Sequence, residues 1–136
     1  MLKKILPCLI VFACLFSCNS DTKKEPVTDV DVARAFIRNI LDNKFDEAEK
    51  FLLKDETNQQ YFERFRQTYN AQDKAKLEKY KAADINIYEI TNVVNDSITI
   101  VNYSNSYIKE SKSKIKLVRI DGKWLVDFQY TFSGNL

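Results

Sequence analysis

The chain has 136 residues, of which 45% are hydrophobic and 12% aromatic, with only two glycines and two prolines. This composition can bury one hydrophobic core and excludes a disordered or repeat protein. Two of the 21 basic residues, Lys3 and Lys4, lie in an N-terminal leader, which leaves 19 basic residues against 19 acidic ones. Such a balance lacks the clustered positive charge that binds nucleic acid, so we expect no nucleic-acid partner. The absence of histidine excludes His-dependent acid–base and nucleophilic catalysis and most zinc sites, and we expect no metal or other cofactor.

Residues 1–17 have the order of a secretory signal peptide. Lys3 and Lys4 form a positive start, an apolar run extends from Ile5 to Phe16, and the small residue Ser17 follows. The apolar run has 12 residues, whereas a helix that spans a bilayer needs about 20. The pattern therefore predicts a cleaved leader rather than a permanent membrane span.

Residues 15–18, Leu-Phe-Ser-Cys, resemble the lipobox of bacterial lipoproteins. The resemblance implies that Cys18 receives acyl chains such as palmitate and becomes the mature N-terminus. Cys14 fits the pattern less well, and the alternative is that all three cysteines are apolar filler of the leader. The polar segment 18–27 is then a lipidated tether. Asn19 after the cysteine resembles the class sorted to the outer membrane, so we expect a lipid-anchored protein of the bacterial cell envelope.

Helical patterns dominate residues 28–83. Thr28 can accept a hydrogen bond from an unpaired backbone N–H at a helix start, and the aspartates at 29 and 31 suit the positive helix end. A second short helix restarts at Phe45 after a break at 42–44, and Tyr61 to Tyr69 mark a third, for which the pattern leaves open whether it ends near Gln72 or continues through Tyr80. The apolar positions of the first helix are Val32, Ala33, Phe36, Ile37, Ile40 and Leu41.

Four β-strands are predicted after Asp84, where β-branched and aromatic residues take over. Asp121-Gly122 is a strong two-residue hairpin signal. Trp124, Val126, Phe128, Tyr130 and Phe132 alternate along the last run, which predicts one apolar sheet face covered by the helices. The four runs are Ile85–Val94, Ser97–Tyr107, Lys112–Ile120 and Lys123–Phe132. The expected fold of residues 28–136 is therefore α+β, with N-terminal helices on a curved, mainly antiparallel four-stranded sheet.

Three phrases, residues 32–37, 43–48 and 121–128, resemble pieces of the nuclear transport factor two-like superfamily, also called the cystatin-like α+β roll. Several small lipid-anchored members are known only as domains of unknown function. The resemblance covers residues 28–132. Enzymes of the superfamily place an Asp, or an Asp with a His, between helices and sheet. This chain has no His, and its mid-strand carboxylates are Glu89 and Asp127.

These two carboxylates are the only candidates for a general base that the strand pattern offers, and a structural role is favoured for both. Alternation places Asp127 opposite Trp124 and Phe128, on an outward, solvated face. The orientation of Glu89 stays open because Ile87 shares its parity and Ile90 does not.

Four aromatic residues, Tyr88, Tyr103, Trp124 and Tyr130, are candidates for lining a small-ligand pocket. The alternative, that they are ordinary core and rim aromatics, is favoured. A lysine cluster lies around the predicted hairpin that precedes the third strand, and a solvated face is favoured over binding of an anionic partner. The cluster comprises Lys109, Lys112, Lys114 and Lys116.

The function expected from the sequence is that of a non-catalytic envelope module that binds a small ligand or an envelope protein. One alternative is a cavity enzyme with a lone carboxylate as general base. Another is a structural or immunity-type interaction protein. A buried carboxylate beside an open cavity would favour the enzyme, whereas an interior filled by Trp124 and Phe128 would favour the interaction protein.

Overall fold

A computed structural model describes residues 24–132. The predicted signal peptide, Cys18 and most of the tether lie outside these residues. The helices are α1 (Asp29–Leu41), α2 (Phe45–Glu49), α3 (Glu56–Asn70), α4 (Lys74–Lys81) and α5 (Gln129–Phe132), and the strands are β1 (Ile85–Val94), β2 (Ile98–Asn105), β3 (Ser113–Ile120) and β4 (Lys123–Asp127). The α+β class expected from the sequence is confirmed.

Helix α1 begins as the sequence predicts. The Thr28 hydroxyl accepts a hydrogen bond from the Asp31 backbone N–H at 3.1 Å, and the Asp31 carboxylate accepts one from the Thr28 N–H at 3.4 Å. This reciprocal capping satisfies two N–H groups that have no partner within the helix. The six apolar positions predicted for one face are all buried, so α1 is the main helix that covers the sheet.

The extent of the third helix, which the sequence pattern leaves open, is decided by a break between α3 and α4. Helix α3 ends at Asn70, and Ala71 caps it with a hydrogen bond to the Gln67 carbonyl. The Asp73 carboxylate then accepts from the Lys76 N–H at 2.9 Å and starts a new helix. A residue that caps a helix start adopts an extended backbone, so a continuous helix cannot pass through Asp73.

The sheet is an antiparallel meander in the order β1-β2-β3-β4, which confirms the predicted four strands and their pairing. Asp121 and Gly122 connect β3 to β4 with φ values of 49° and 78°. Both residues lie in the left-handed region that a tight two-residue hairpin requires, and Gly122 adopts it without steric cost.

The last strand is shorter than predicted. β4 ends at Asp127, and Tyr130 and Phe132 belong to α5. Two side chains hold this turn: Asn58 accepts from the Gln129 N–H at 2.9 Å, and the Thr131 hydroxyl donates to the Lys114 carbonyl at 2.8 Å. These bonds take the place of strand pairing. The strand predicted from the alternating aromatic residues is therefore wrong beyond Phe128.

The two faces of the sheet differ, and register assigns each residue to one of them. The inner face packs against the helices through Val101, Ile115, Leu117 and Val126, all of which are buried. The outer face carries the residues that alternate with these on β2, β3 and β4. Within residues 24–132, α5 flanks this face beside β3.

The two edges of the sheet also differ. The Val126 N–H donates to the Phe51 carbonyl at 2.8 Å, and its carbonyl accepts from the Leu53 N–H at 2.9 Å, so the segment after α2 covers the edge of β4. β1 forms the other edge, and the register shifts twice along it, after Ile87 and after Asn92. Within the described residues, no strand pairs with the edge of β1 that points away from β2.

Candidate functional site

Aromatic rings fill the space between the helices and the sheet. Phe128 is 4% exposed, and its ring centroid lies 5.7 Å from that of Phe36, 5.3 Å from Phe62 and 5.5 Å from Phe65. These pairs meet edge to face, which is the favourable arrangement for aromatic rings. Trp124 is partly buried and packs at the margin of the same core. The interior is therefore filled with side chains, which is the arrangement expected of an interaction protein.

Neither carboxylate proposed as a general base faces this interior. Asp127 pairs in register with Lys116 on the outer face, and the Lys116 ammonium donates to its carboxylate at 2.9 Å. The outward direction of Asp127 is confirmed, but its solvated character is not, because only 17% of the side chain is exposed. The Lys116 ammonium therefore already occupies this carboxylate.

A β-bulge at Tyr88 determines the orientation of Glu89. Ile87 pairs with Tyr103 on the inner face, and the next register pair is Glu89 with Asn102. The extra residue in β1 reverses the alternation, so Glu89 lies on the outer face. There it accepts a hydrogen bond from the Asn102 amide at 2.9 Å. Composition alone gives no sign of such a bulge, which explains why the sequence pattern was ambiguous here.

The four candidate ligand-binding aromatics do not form one pocket. The Tyr88 hydroxyl donates to the Tyr103 carbonyl at 2.8 Å, so these two residues are neighbours. Trp124 pairs with Arg119 near the far end of β3, and six residues of strand, about 20 Å, separate that end from the partner of Tyr103. Tyr130 lies on α5, with the Lys116 ammonium 5.7 Å from its ring centroid.

Two tyrosines are held in the neutral form by their surroundings. Burial raises the pKa of Tyr69 to about 12, with a further contribution from neighbouring Tyr80. The Tyr69 hydroxyl lies within hydrogen-bonding distance of the Leu41 carbonyl, at 3.3 Å. Burial likewise raises the pKa of Tyr103 to about 12, although a hydrogen bond with Ser113 acts in the opposite direction. Tyr69 is part of the buried core, and Tyr103 packs against that core as a partly buried side chain.

The lysine cluster divides into exposed and paired members. Lys109 and Lys112 are exposed, and the Lys112 ammonium lies 5.3 Å from the Tyr88 ring centroid. Lys114 and Lys116 project from the outer face of β3. A solvated face does not describe Lys116, which lies between Asp127 and the Tyr130 ring.

An apolar row crosses the outer face from one edge of the sheet to the other. Val94 pairs with Ile98, Ile98 with Val118, and Val118 with Leu125, so one residue from each strand contributes. Their side chains are partly or largely exposed. We call these four residues the outer apolar row. An apolar surface that spans a sheet is typical of a contact surface for another molecule.

Asn58 is a buried polar residue that the sequence analysis did not identify. It is 2% exposed, its amide donates to Asp55 at 2.7 Å, and its carbonyl accepts from the Gln129 N–H at 2.9 Å. Hydrogen bonds from the Asn58 backbone and side chain hold the pKa of Asp55 below its usual value. The sequence signal was Asp55 itself, a helix-capping residue three positions before a polar amide. Asn58 thus connects the start of α3 to the start of α5.

Two surface depressions are lined by charged residues. One, of about 490 Å³, lies beside Arg34 and Arg38, where the Arg38 guanidinium donates to the Ala83 carbonyl at 2.7 Å and pairs with Asp42 at 3.0 Å. The other, of about 290 Å³, contains the ion pair of Arg66 with Asp46. In each depression, one arginine is already bonded to other protein groups: Arg38 in the first and Arg66 in the second.

Two further findings concern the described residues. No group of three or more His, Cys, Asp or Glu side chains within 24–132 is arranged to hold a metal ion. Over the same range, no helix has the length and apolar character needed to cross a membrane.

Comparisons with known proteins give one similar structure. No family model matches the chain, and no curated protein matches it. Among solved structures, a Campylobacter jejuni protein described as an NTF2-like transpeptidase is similar at 18% sequence identity and a TM-score of 0.49, over 71% of this chain and 94% of that one. At this level of similarity, membership of the nuclear transport factor two-like superfamily stays a prediction, whereas the α+β architecture is observed directly.

Proposed function

We propose that this protein is a lipoprotein of the bacterial cell envelope, acylated at Cys18, whose folded domain is a non-catalytic module that binds an envelope protein. The observation that carries the binding part is the contrast between a filled interior and an apolar outer face. Phe128 and the rings around it occupy the space where a small ligand would be enclosed. The outer apolar row, in contrast, offers a surface that spans all four strands.

The outer face has the composition of a protein-binding surface. The apolar row is bordered by Lys116 and Asp127, whose side chains are 26% and 17% exposed, and the hydrogen-bonded pair of Glu89 and Asn102 lies further along the same face. Protein interfaces combine an apolar centre with a polar margin that fixes orientation. A partner with an apolar strip and complementary charges fits this arrangement better than a small molecule, which needs a concave site.

The anchoring part of the proposal rests on residues 1–18 of the sequence. Acyl chains contribute about 0.8 kcal/mol per buried CH₂, so two or three chains on Cys18 hold a protein firmly to a bilayer. Nine residues separate Cys18 from Thr28, and they can span up to about 30 Å when extended. The folded domain would therefore stay close to the membrane surface, where envelope proteins are its available partners. The outer membrane is the proposed destination.

Acylation is tested by expressing the full chain in a Gram-negative host beside a Cys18→Ala variant. Intact mass should show a chain that begins at residue 18 and carries acyl groups, and fractionation should place it in the outer membrane. The variant should lose both the acyl mass and the membrane hold. Cys14→Ala is the matched control and should behave as the wild type. An unacylated wild-type chain in the soluble fraction would contradict the anchor.

Partner binding is tested with a photo-crosslinking amino acid introduced at Leu125 in cells that express the full chain. A discrete adduct is expected, and Val118→Asp should abolish it because the change places a charge in the outer apolar row. The control carries the cross-linker at Gln59, an exposed position on α3. If the Gln59 probe gives the same adduct, or if Val118→Asp has no effect, the outer face is not the binding surface.

A further inference from the structure

The start of α1 and both tight turns of the sheet lie at the same end of the molecule. The Thr99 hydroxyl donates to the Asp29 carboxylate at 2.6 Å, which joins the first turn of α1 to the beginning of β2. The Arg119 N–H donates to the Ser97 carbonyl at 2.8 Å, which places the end of β3 beside the turn between β1 and β2. The chain preceding α1 therefore leaves the domain beside these two turns.

Four exposed aliphatic side chains are concentrated at this end. Val27, directly before the Thr28 cap, is 70% exposed, and Val93, Val94 and Ile120 at the strand ends are 53%, 48% and 44% exposed. Single exposed aliphatic residues are ordinary on protein surfaces. Four at one end of a small sheet, next to the point where the tether joins, form a surface that water solvates poorly. We call these four residues the hairpin end.

We propose that the hairpin end rests on the lipid bilayer and inserts its aliphatic side chains at the boundary between headgroups and acyl chains. This inference depends on the proposed acylation of Cys18, which would hold the domain next to a bilayer. The tether ends at Val27, which is itself part of the hairpin end, so the tether does not have to reach around the domain. The anchor and the aliphatic surface therefore meet the same membrane.

Apolar burial rather than headgroup charge drives this contact. Asp96 and Asp121 lie in the turns, beside the basic residues Arg119 and Lys123, so the turns carry no excess of positive charge. Attraction to anionic lipids requires such an excess. The contact should therefore form equally well on vesicles of phosphatidylethanolamine with phosphatidylcholine and on vesicles that also contain phosphatidylglycerol.

Docking at this end fixes the orientation of the sheet. β3 extends from Ser113 to Ile120, which corresponds to about 23 Å at a rise of about 3.3 Å per residue. The strands would stand away from the membrane, with Tyr107 and the loop that follows β2 at the distal end. Val94 belongs to both surfaces, and the other three residues of the outer apolar row, Ile98, Val118 and Leu125, would then face sideways, close to the membrane and accessible to a neighbouring envelope protein.

The test uses the full chain, acylated in a Gram-negative host and reconstituted in such vesicles. Val94→Cys and Ile120→Cys variants are labelled with an environment-sensitive fluorophore, and Glu110→Cys at the distal end is the matched control. Removal of the leader and acylation of Cys18 leave the introduced cysteine as the single reactive thiol. The expected result is a blue-shifted emission and a loss of quenching by aqueous iodide at positions 94 and 120. No such change is expected at position 110, nor in the same variants of a chain made to begin at residue 19, which has neither the anchor nor any other thiol.

The opposite outcomes are distinguishable. If the protein is acylated and sediments with vesicles but the labels at 94 and 120 are quenched as fully as the label at 110, docking is overturned and the anchor stands. If no acylated protein forms, the anchor fails and the docking inference fails with it. A shift that requires phosphatidylglycerol, or that already occurs in the soluble chain that begins at residue 19, also overturns the inference, because charge or self-association would then account for it.

Discussion

The two faces of the sheet carry similar apolar residues in different surroundings. Leu117 on the inner face is fully buried among helix side chains, whereas Leu125 on the outer face is partly exposed in an apolar row. Polar groups on the helix side, such as Thr99 and Asn58, have protein partners, as a closed core requires. Stability therefore resides mainly in the inner face, while the apolar row of the outer face is exposed to solvent.

Alanine variants of two leucines should differ most in their free energy of unfolding. Leu117→Ala should lower the free energy of unfolding by about 3 kcal/mol, because it leaves a cavity in a packed core. Leu125→Ala should cost about 1 kcal/mol or less, because that side chain already meets solvent. Urea unfolding monitored by circular dichroism measures both. Equal losses would show that the outer face is part of the core.

Asn58 is a polar residue whose buried hydrogen bonds should also stabilise the inner side of the fold. Asn58→Ala should destabilise the fold by about 2 kcal/mol, because a buried amide that joins α3 to α5 loses two hydrogen bonds. The control is Gln59→Ala, a neighbouring exposed position on the same helix, which should change stability by no more than about 0.5 kcal/mol. Chemical denaturation of the two variants side by side decides the matter, and similar values would mean that the Asn58 bonds contribute nothing.

Alkaline pH should destabilise the fold through two tyrosines that pack on the helix side of the sheet. The folded protein raises the pKa of Tyr69 and Tyr103 from 10 to about 12. Their contribution to stability is complete below pH 10 and is lost as pH rises toward 12, because the unfolded chain ionises first. The double variant Tyr69→Phe, Tyr103→Phe should lose less stability across this interval. Denaturation at a series of pH values tests this, and an unchanged slope in the variant would contradict it.

The smallest expected effect concerns ion pairs. A double-mutant cycle of Lys116→Met and Asp127→Asn should give a coupling of about 1 kcal/mol, because both side chains are mostly covered. The control pair, Lys50 with Glu47, is exposed on the surface and should give less than about 0.5 kcal/mol. If the couplings are equal, the cover provided by Tyr130 and α5 does not strengthen the outer-face pair.

Local chemistry made much of the fold predictable. The Thr28 cap and the apolar face of α1 depend on residues within one or two turns of each other, and Asp121-Gly122 forms its hairpin with its own backbone. The alternation of β2 and β3 depends on a pleat with a fixed period. These features need no information from distant parts of the chain, so the sequence analysis placed them correctly.

The errors arise where distant contacts decide. β4 ends at Asp127 because Asn58, 71 residues before Gln129, accepts its N–H. The orientation of Glu89 depends on a bulge against β2, and the character of Asp127 depends on Lys116 and α5. No local period encodes such partners. The lipid attachment at Cys18 and the ligand-binding aromatics stay predictions, the former outside the described residues and the latter in separate parts of the fold.

The cover on one edge of the sheet limits how copies of this domain can associate. Edge-to-edge growth without end requires each copy to offer two open edges, one to receive a strand and one to donate. Within residues 24–132, Phe51 and Leu53 form backbone hydrogen bonds with Val126 and so cover the β4 edge. The β1 edge is then the one that stays open. Two β1 strands that pair use up the open edge of both copies, so the native fold permits a closed pair and prevents an open fibre. The two register shifts along β1 disfavour even that pair.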